Sequence, residues 1–180
     1  MPMSTTRWQA VSQSQFAWER EALDWLRNHL PDREPWHAWT NFEFIDSTGK
    51  VNEIDALVLS PAGLFLVEIK SWPGKVSGDS HSWTCDTDGR CITVDNPLLL
   101  TDRKSKRLAS ILRRLSAIKK PEVRVPFIKP LVFLSSSKVN CQLNGRARSG
   151  VYLRGRPGES DDTGLVSALI GKSRNLSLIH

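Results

Sequence analysis

Cysteine is scarce in this chain: Cys85, Cys91 and Cys141 are the three in 180 residues, odd in number and never spaced as CxxC. That excludes a disulfide framework or a zinc knuckle as the organising element. One Cys85–Cys91 bridge across a hairpin is the pairing left open. The four histidines are scattered and suggest no histidine-based metal site. No apolar run nears the roughly 18 residues that span a bilayer, and the opening MPMSTTRWQAVSQSQ lacks the basic and apolar blocks of a signal peptide. A cytoplasmic protein with no membrane partner is the expectation. Internal repeats and low-complexity segments are absent.

What is present suffices for one domain with a full core, since 39% of the residues are hydrophobic. Charge is segregated along the chain. Residues 1–100 carry 8 Lys/Arg and 14 Asp/Glu, whereas residues 101–156 carry 15 and 2, an excess of +13. Such a basic segment either forms a surface that attracts phosphates or covers solvated helix faces, and charge alone leaves both open.

Periodicity orders the elements. FAWEREALDWLRNHL, residues 16–30, reads as an amphipathic helix with Ala22, Leu23, Leu26 and Leu30 on one stripe and Pro31 past its end. FEFIDS, VNEIDALVLS and GLFLVEIKS follow as three strands of an antiparallel meander, separated by Gly and Pro signals. The stretch from Trp72 to Val94 holds several turns and reads as an elaborated strand and hairpin. A long helix spans about Leu98 to Ile118, with Leu108, Ile111, Leu112, Leu115 and Ile118 on its apolar side, and IKPLVFLSSS is a buried strand. GVYLRG reads as a short strand, GRPGESDDTG as a loop and GLVSALIG as a short helix. The domain is expected at 13–156, after a tail at 1–12 and before a loop and short helix at 157–180 that lead toward a further domain.

Four charged residues interrupt the hydrophobic meander: Glu53, Asp55, Glu68 and Lys70. If SPAG closes the hairpin symmetrically, with Leu59 facing Leu64, Asp55 falls opposite Glu68 and Glu53 opposite Lys70. Like charges directly across a strand pair are destabilising, and a hard divalent cation such as Mg²⁺ would compensate them. The alternative is a pair of ordinary ion pairs, one of them Glu53 with Lys70. Glu19 is an acid on the apolar stripe of the first helix, where it either joins the Asp55–Glu68 cluster or sits in the first turn facing water. Lys104 falls on the apolar side of the long helix, and Arg103, Lys106, Arg107, Arg113 and Arg114 on the other. Lys104 either contacts substrate phosphate or covers apolar surface with its stem. Trp18, Trp25, Trp36 and Trp39 read most simply as packing residues. Trp72, two residues after Lys70, either stacks on a base or, the preferred reading, packs against the sheet edge.

An acid on the first helix, EIDALVLSPAGLFLVEIKSWPG, GDSHSW and NPLLL before a basic helix together resemble the nuclease-related domain, NERD, of the PD-(D/E)xK phosphodiesterase superfamily. The likeness covers about residues 13–135. NPLLLTDRKSKRLASIL is similar, more narrowly, to the NERD segment that opens large kinases of BREX-type phage defence, although no glycine-rich loop, HRD or DFG occurs here. The resemblance implies an α/β restriction-endonuclease-like fold, with a central mixed sheet opened by the antiparallel meander and flanked by helices. It implies Mg²⁺ or Mn²⁺ held by Asp55, Glu68 and the Ile69 carbonyl, with Glu19 as the helical acid and Lys70 as the catalytic lysine. Nucleic acid, DNA in preference, is then the substrate, contacted by Lys104, Arg103, Lys106, Arg107 and Trp72, and other defence proteins or a second copy are partners. Many family members carry a glutamine after the Asn-Pro pair; here the polar role passes to Lys104 or is absent. The competing expectation is a catalytically silent module for DNA binding or assembly within a larger defence kinase.

Overall fold

A computed structural model describes residues 1–155 and 164–171. In chain order the elements are β1 (Trp8–Ala10), α1 (Ala17–His29), β2 (His37–Ile45), β3 (Val51–Ser60), β4 (Gly63–Lys70), β5 (Lys75–Gly78), β6 (Ser82–Thr87) and β7 (Arg90–Asp95). They continue with α2 (Pro97–Lys119), β8 (Ile128–Leu134), β9 (Asn140–Cys141), α3 (Gly145–Arg148), β10 (Val151–Tyr152) and α4 (Leu165–Ile170). The central sheet has six strands in the order β1-β2-β3-β4-β8-β10. β2, β3 and β4 form the expected antiparallel meander, while β1, β8 and β10 each join in parallel, so the sheet is mixed.

Parallel neighbours need crossovers, and these bring the helices onto the sheet. α1 lies between β1 and β2 and buries Ala22, Leu23 and Leu26 against Ala38, Val58, Phe65, Val67 and Phe133 on one face. α2 covers the other face, where Leu108 and Ala109 meet Leu57, Leu64 and Leu66. β4 is thus enclosed on both sides, which is why GLFLVEIK is apolar almost without alternation. α2 starts where its sequence dictates: Asn96 Oδ1 accepts the Leu98 N–H and Pro97 occupies the first turn.

Several features depart from the sequence expectations. Residues 1–12 are not a loose tail, because Met3 and Trp8 are buried and β1 pairs with β2. A three-residue edge strand is too short to show periodicity. The turn-rich stretch after Lys70 builds a second sheet, β7-β6-β5-β9, which packs Val76, Trp83 and Cys85 against Val132, Leu134 and Val151. Gly74 in its first turn is obligatory, since a Cβ there would lie 2.0 Å from the Asp86 carbonyl oxygen. Cys85 pairs with Ile92 and Cys91 with Asp86, leaving Cys85 buried, Cys91 exposed and both thiols free. The apolar side of α2 is buried only as far as the sheet reaches, so Leu115 and Ile118 are exposed. Trp18 is exposed and stacks on Phe16 instead of entering the core.

The expected strand at GVYLRG and helix at GLVSALIG correspond to β10 and α4. Most of the expected GRPGESDDTG loop and the chain after 171 lie outside the described residues. No helix among the described residues is long and apolar enough to cross a membrane.

Candidate active site

The β3–β4 hairpin closes as its turn requires, pairing Ser60 with Gly63 and Leu59 with Leu64, and the ladder runs to Ala56–Val67. There it stops. β3 continues along β2, with Glu53 beside Glu43, while β4 continues along β8, with Glu68 beside Val132 and Lys70 beside Leu134. Asp55 and Glu68 are therefore not a ladder pair; they line the fork between two diverging strands. The expected Glu53–Lys70 pairing, and the ion pair built on it, are absent because Glu53 has left with β2.

The Asp55 carboxylate closes the fork. Its Oδ2 accepts the Ile69 N–H at 2.7 Å, replacing the next ladder bond with a side-chain bond. N–H and C=O of one strand residue point to the same side, so the Ile69 carbonyl faces this gap as well. The Lys70 carbonyl faces the opposite neighbour, accepting from the Ser135 N–H at 2.9 Å. On β2, Asn41 lies across from Asp55 with φ +51° and exchanges side-chain bonds with Ser12, so the β2–β3 ladder skips this position too. Strand alternation breaks there: Ile54 and Leu57, three apart, join the same cluster beneath α2.

Glu68 sits on the α2 side of the sheet with both oxygens engaged. Lys70 Nζ donates to Oε1 and Lys104 Nζ to Oε2, each at 3.0 Å. Lys104 therefore does face the sheet, 12% exposed, and its amine is directed to a carboxylate. Burial by itself would raise the Glu68 pKa, but the two ammonium groups outweigh it and hold the carboxyl below its ordinary value. Asp55 has no such partner. Burial first and the charge of Glu68 second push it up to about 7. Glu19 is also raised, chiefly by burial, with Glu68 and Glu53 adding to the shift while a Ser14 hydrogen bond opposes it. Three carboxyl groups thus share one field, and their environments separate one firmly ionised acid from two reluctant ones.

This separation predicts the effect of removing a counter-charge. Lys104→Met leaves Glu68 with a single cation in a largely dry site, so urea denaturation should show a loss of about 2–3 kcal/mol. A loss under about 0.5 kcal/mol would mean that the pair is effectively solvated.

The donor set at the fork suits a hard divalent cation: carboxylate oxygens of Asp55 and Glu68, an inward-facing Ile69 carbonyl, and excess negative charge that burial leaves poorly compensated. Mg²⁺ is commonly held by one or two carboxylates, with waters and phosphate oxygens completing the shell. Among the described residues no group of three His, Cys, Asp or Glu side chains converges tightly enough to hold a metal alone. Glu19 accordingly belongs to the electrostatic surroundings.

The other expected contacts divide. Arg103 is exposed and lines a cleft that runs from Glu68 and Lys70 past Trp72. Lys106 is exposed and pairs with Asp102 one turn away. Arg107 is half-buried and engaged by the protein itself: it donates to Asn52 Oδ1 at 3.0 Å and lies 3.4 Å from Asp46 Oδ2. Asp46, held below the usual carboxylate range first by Thr48 and also by Asn52 and Lys50, organises the β2–β3 turn that captures it. Trp72 packs edge-on against buried Trp83, as its preferred reading expects, and it also lines the cleft. Missed from sequence were Leu99 and Leu100, exposed apolar residues in the first turn of α2 that also line it. Their signal was the triple leucine after Asn96-Pro97, more than one buried stripe needs.

Comparison with known proteins bears on these residues. The family model described as nuclease-related domain matches residues 14–135, which include Glu19, Asp55, Glu68, Lys70 and Lys104. A protein of Streptomyces coelicolor (strain ATCC BAA-471 / A3(2) / M145) named "Probable kinase PglW" is 38% identical over 151 residues, covering 83% of this chain. The chain matches 9% of that protein's length. No solved structure matches.

Proposed function

Because the chain belongs to the nuclease-related domain family, we propose that it hydrolyses phosphodiester bonds of nucleic acid, DNA in preference, with Mg²⁺ or Mn²⁺ bound by Asp55, Glu68 and the Ile69 carbonyl. The observation that carries this reading is the fork, where β3 and β4 separate just far enough for Asp55 to reach Ile69 beside Glu68 and Lys70. A domain that only bound nucleic acid would gain nothing from burying acids that repel phosphate. When bound, the cation supplies polarisation of the scissile phosphate and lowers the pKa of the attacking water.

Each side chain then has a defined task. Lys70, partly exposed at the end of β4, orients the water and donates to the oxygen that gains negative charge. Lys104 keeps Glu68 ionised from beneath. Glu19, the helical acid, shares the field of Glu68 and adds negative charge that favours a cation when it is ionised. Arg103 contacts the backbone of the polymer outside the fork.

The second reading is a silent binding or assembly module of a larger defence kinase. What favours it is that Lys70 and Lys104 already saturate both oxygens of Glu68. The two readings part in a cleavage assay on single- and double-stranded DNA and RNA with Mg²⁺, Mn²⁺ or EDTA. Hydrolysis that appears with metal and stops with EDTA supports the enzyme; binding without hydrolysis under every metal condition supports the module. The BREX-like wording of the sequence supports a phage-defence setting for either activity, with other defence proteins as proposed partners, and the similarity to a protein named as a probable kinase is compatible with it.

The basic helix gives a separate prediction. Arg103→Ala should reduce the slope of log K against log salt by roughly 0.7–0.9, the value of one phosphate contact. Arg107→Ala should leave the slope unchanged and cost about 1 kcal/mol of stability, because its bonds are to Asn52 and Asp46. Equal slope changes in the two variants would show that Arg107 leaves its turn to meet the polymer.

A further inference from the structure

The cleft beside Glu68 and Lys70 has a volume of about 470 Å³, within the roughly 300–1,000 Å³ typical of small-molecule sites. Its lining combines the cations Lys70 and Arg103, which suit a phosphate, with Trp72, Val94, Leu99 and Leu100, which suit a flat apolar group, while Glu68, His81, Asp95 and Asn96 add polar edges. Trp72 is held in place by its T-shaped contact with buried Trp83, ring centroids 6.4 Å apart. Leu99 and Leu100 come from α2 and are 41% and 44% exposed, so α2 leaves two leucines in water next to the candidate catalytic groups.

We propose that this cleft is a nucleotide subsite that takes one unpaired base against Trp72 and Leu100, with its phosphate at Lys70 and Arg103, and that the substrate is therefore single-stranded at the scissile position. The inference rests on the hydrolytic reading for the role of Lys70 but not for the binding itself. A duplex keeps its bases stacked and paired, and the cleft is too small to admit one. An unpaired strand offers a base with no unpairing cost, and base stacking on an aromatic side chain is tolerant of sequence. The cleft therefore selects for strand state and carries little base identity.

The experiment uses the full chain with oligonucleotides carrying a 2-aminopurine, single-stranded or annealed, with Ca²⁺ in place of Mg²⁺ and strand integrity verified. Fluorescence anisotropy reads affinity and 2-aminopurine quenching reads stacking. The single strand should bind at least roughly 5-fold more tightly than the duplex and be quenched, and both Trp72→Ala and Leu100→Glu should weaken it by roughly 5- to 100-fold. Leu100→Glu changes an exposed residue and keeps the test valid should Trp72→Ala disturb the second sheet. Equal affinity for the two strand forms, quenching that survives Leu100→Glu, or no binding of either form overturns the subsite. If the subsite results hold while the metal-dependent cleavage assay is blank, the hydrolytic reading falls and the subsite stands. If the protein cleaves but shows no strand preference, the reverse is true.

Discussion

Lys70→Ala should lose cleavage by roughly 10²–10⁴-fold while binding Mn²⁺ at least as tightly as the parent. Both halves follow from the Lys70–Glu68 pair. Lys70 Nζ lies 3.0 Å from Glu68 Oε1, so in the absence of metal it competes for a ligand oxygen. Removing it takes a positive charge from the site and favours an incoming cation. The same removal deprives the reaction of the more exposed of the two ammonium groups at the fork, 30% against 12% for Lys104, whose amine is committed to the other oxygen of Glu68. The fold should persist, since Lys104 still neutralises Glu68. Calorimetric titration with Mn²⁺, a cleavage time course and a thermal melt test the three statements. Parent-like cleavage by the variant would remove Lys70 from the chemistry, and weakened metal binding would show that the lysine supports the site and does not compete for it.

Asp55→Asn should abolish cleavage and yet make the metal-free protein more stable at mildly alkaline pH. The folded-state pKa of Asp55 is raised from 3.8 to about 7. An acid shifted upward by folding contributes fully to stability below its unfolded pKa, and that contribution is lost as pH rises through the folded value. Asparagine has the same shape, can still accept the Ile69 N–H and has no charge to bury. At about pH 8 the variant should therefore exceed the parent by about 2–4 kcal/mol, a gap that narrows as the pH falls toward about 4. Mn²⁺ should stabilise the parent increasingly as pH rises and should leave the variant unchanged. Urea denaturation across pH, with and without Mn²⁺, measures both. A variant less stable than the parent at about pH 8 would mean that Asp55 is already compensated and that no cation is needed there.

Much of the site was legible because it depends on local periodicity. A turn of known length sets the register of the strands it joins, and Leu59 opposite Leu64 is what SPAG dictates. Helical spacing placed Lys104 among apolar neighbours and hence against the sheet, where it meets Glu68. The same reasoning failed wherever a third element intervened. Leu115 and Ile118 continue the stripe of Leu108, but the sheet ends before them. Arg107 lies on the polar side by angle, but the β2–β3 turn folds back far enough to take it. Trp18 looked like core because tryptophan usually is; it lies at the exposed start of α1 against Phe16.

The chain's own wording settles its family, the meander, the two long helices and the list of charged residues set among apolar ones, because each rests on neighbours within a few residues of one another. The fork was decided only in three dimensions. β3 and β4 pair with each other only as far as Ala56–Val67, while β3 runs on beside β2 and β4 runs on beside β8, the strand that α2 delivers from almost sixty residues away. That divergence turns two acids from an expected ladder pair into carboxylates lining a common gap, because each strand keeps its outer partner while the Asp55 side chain takes the Ile69 N–H that a backbone carbonyl would otherwise accept.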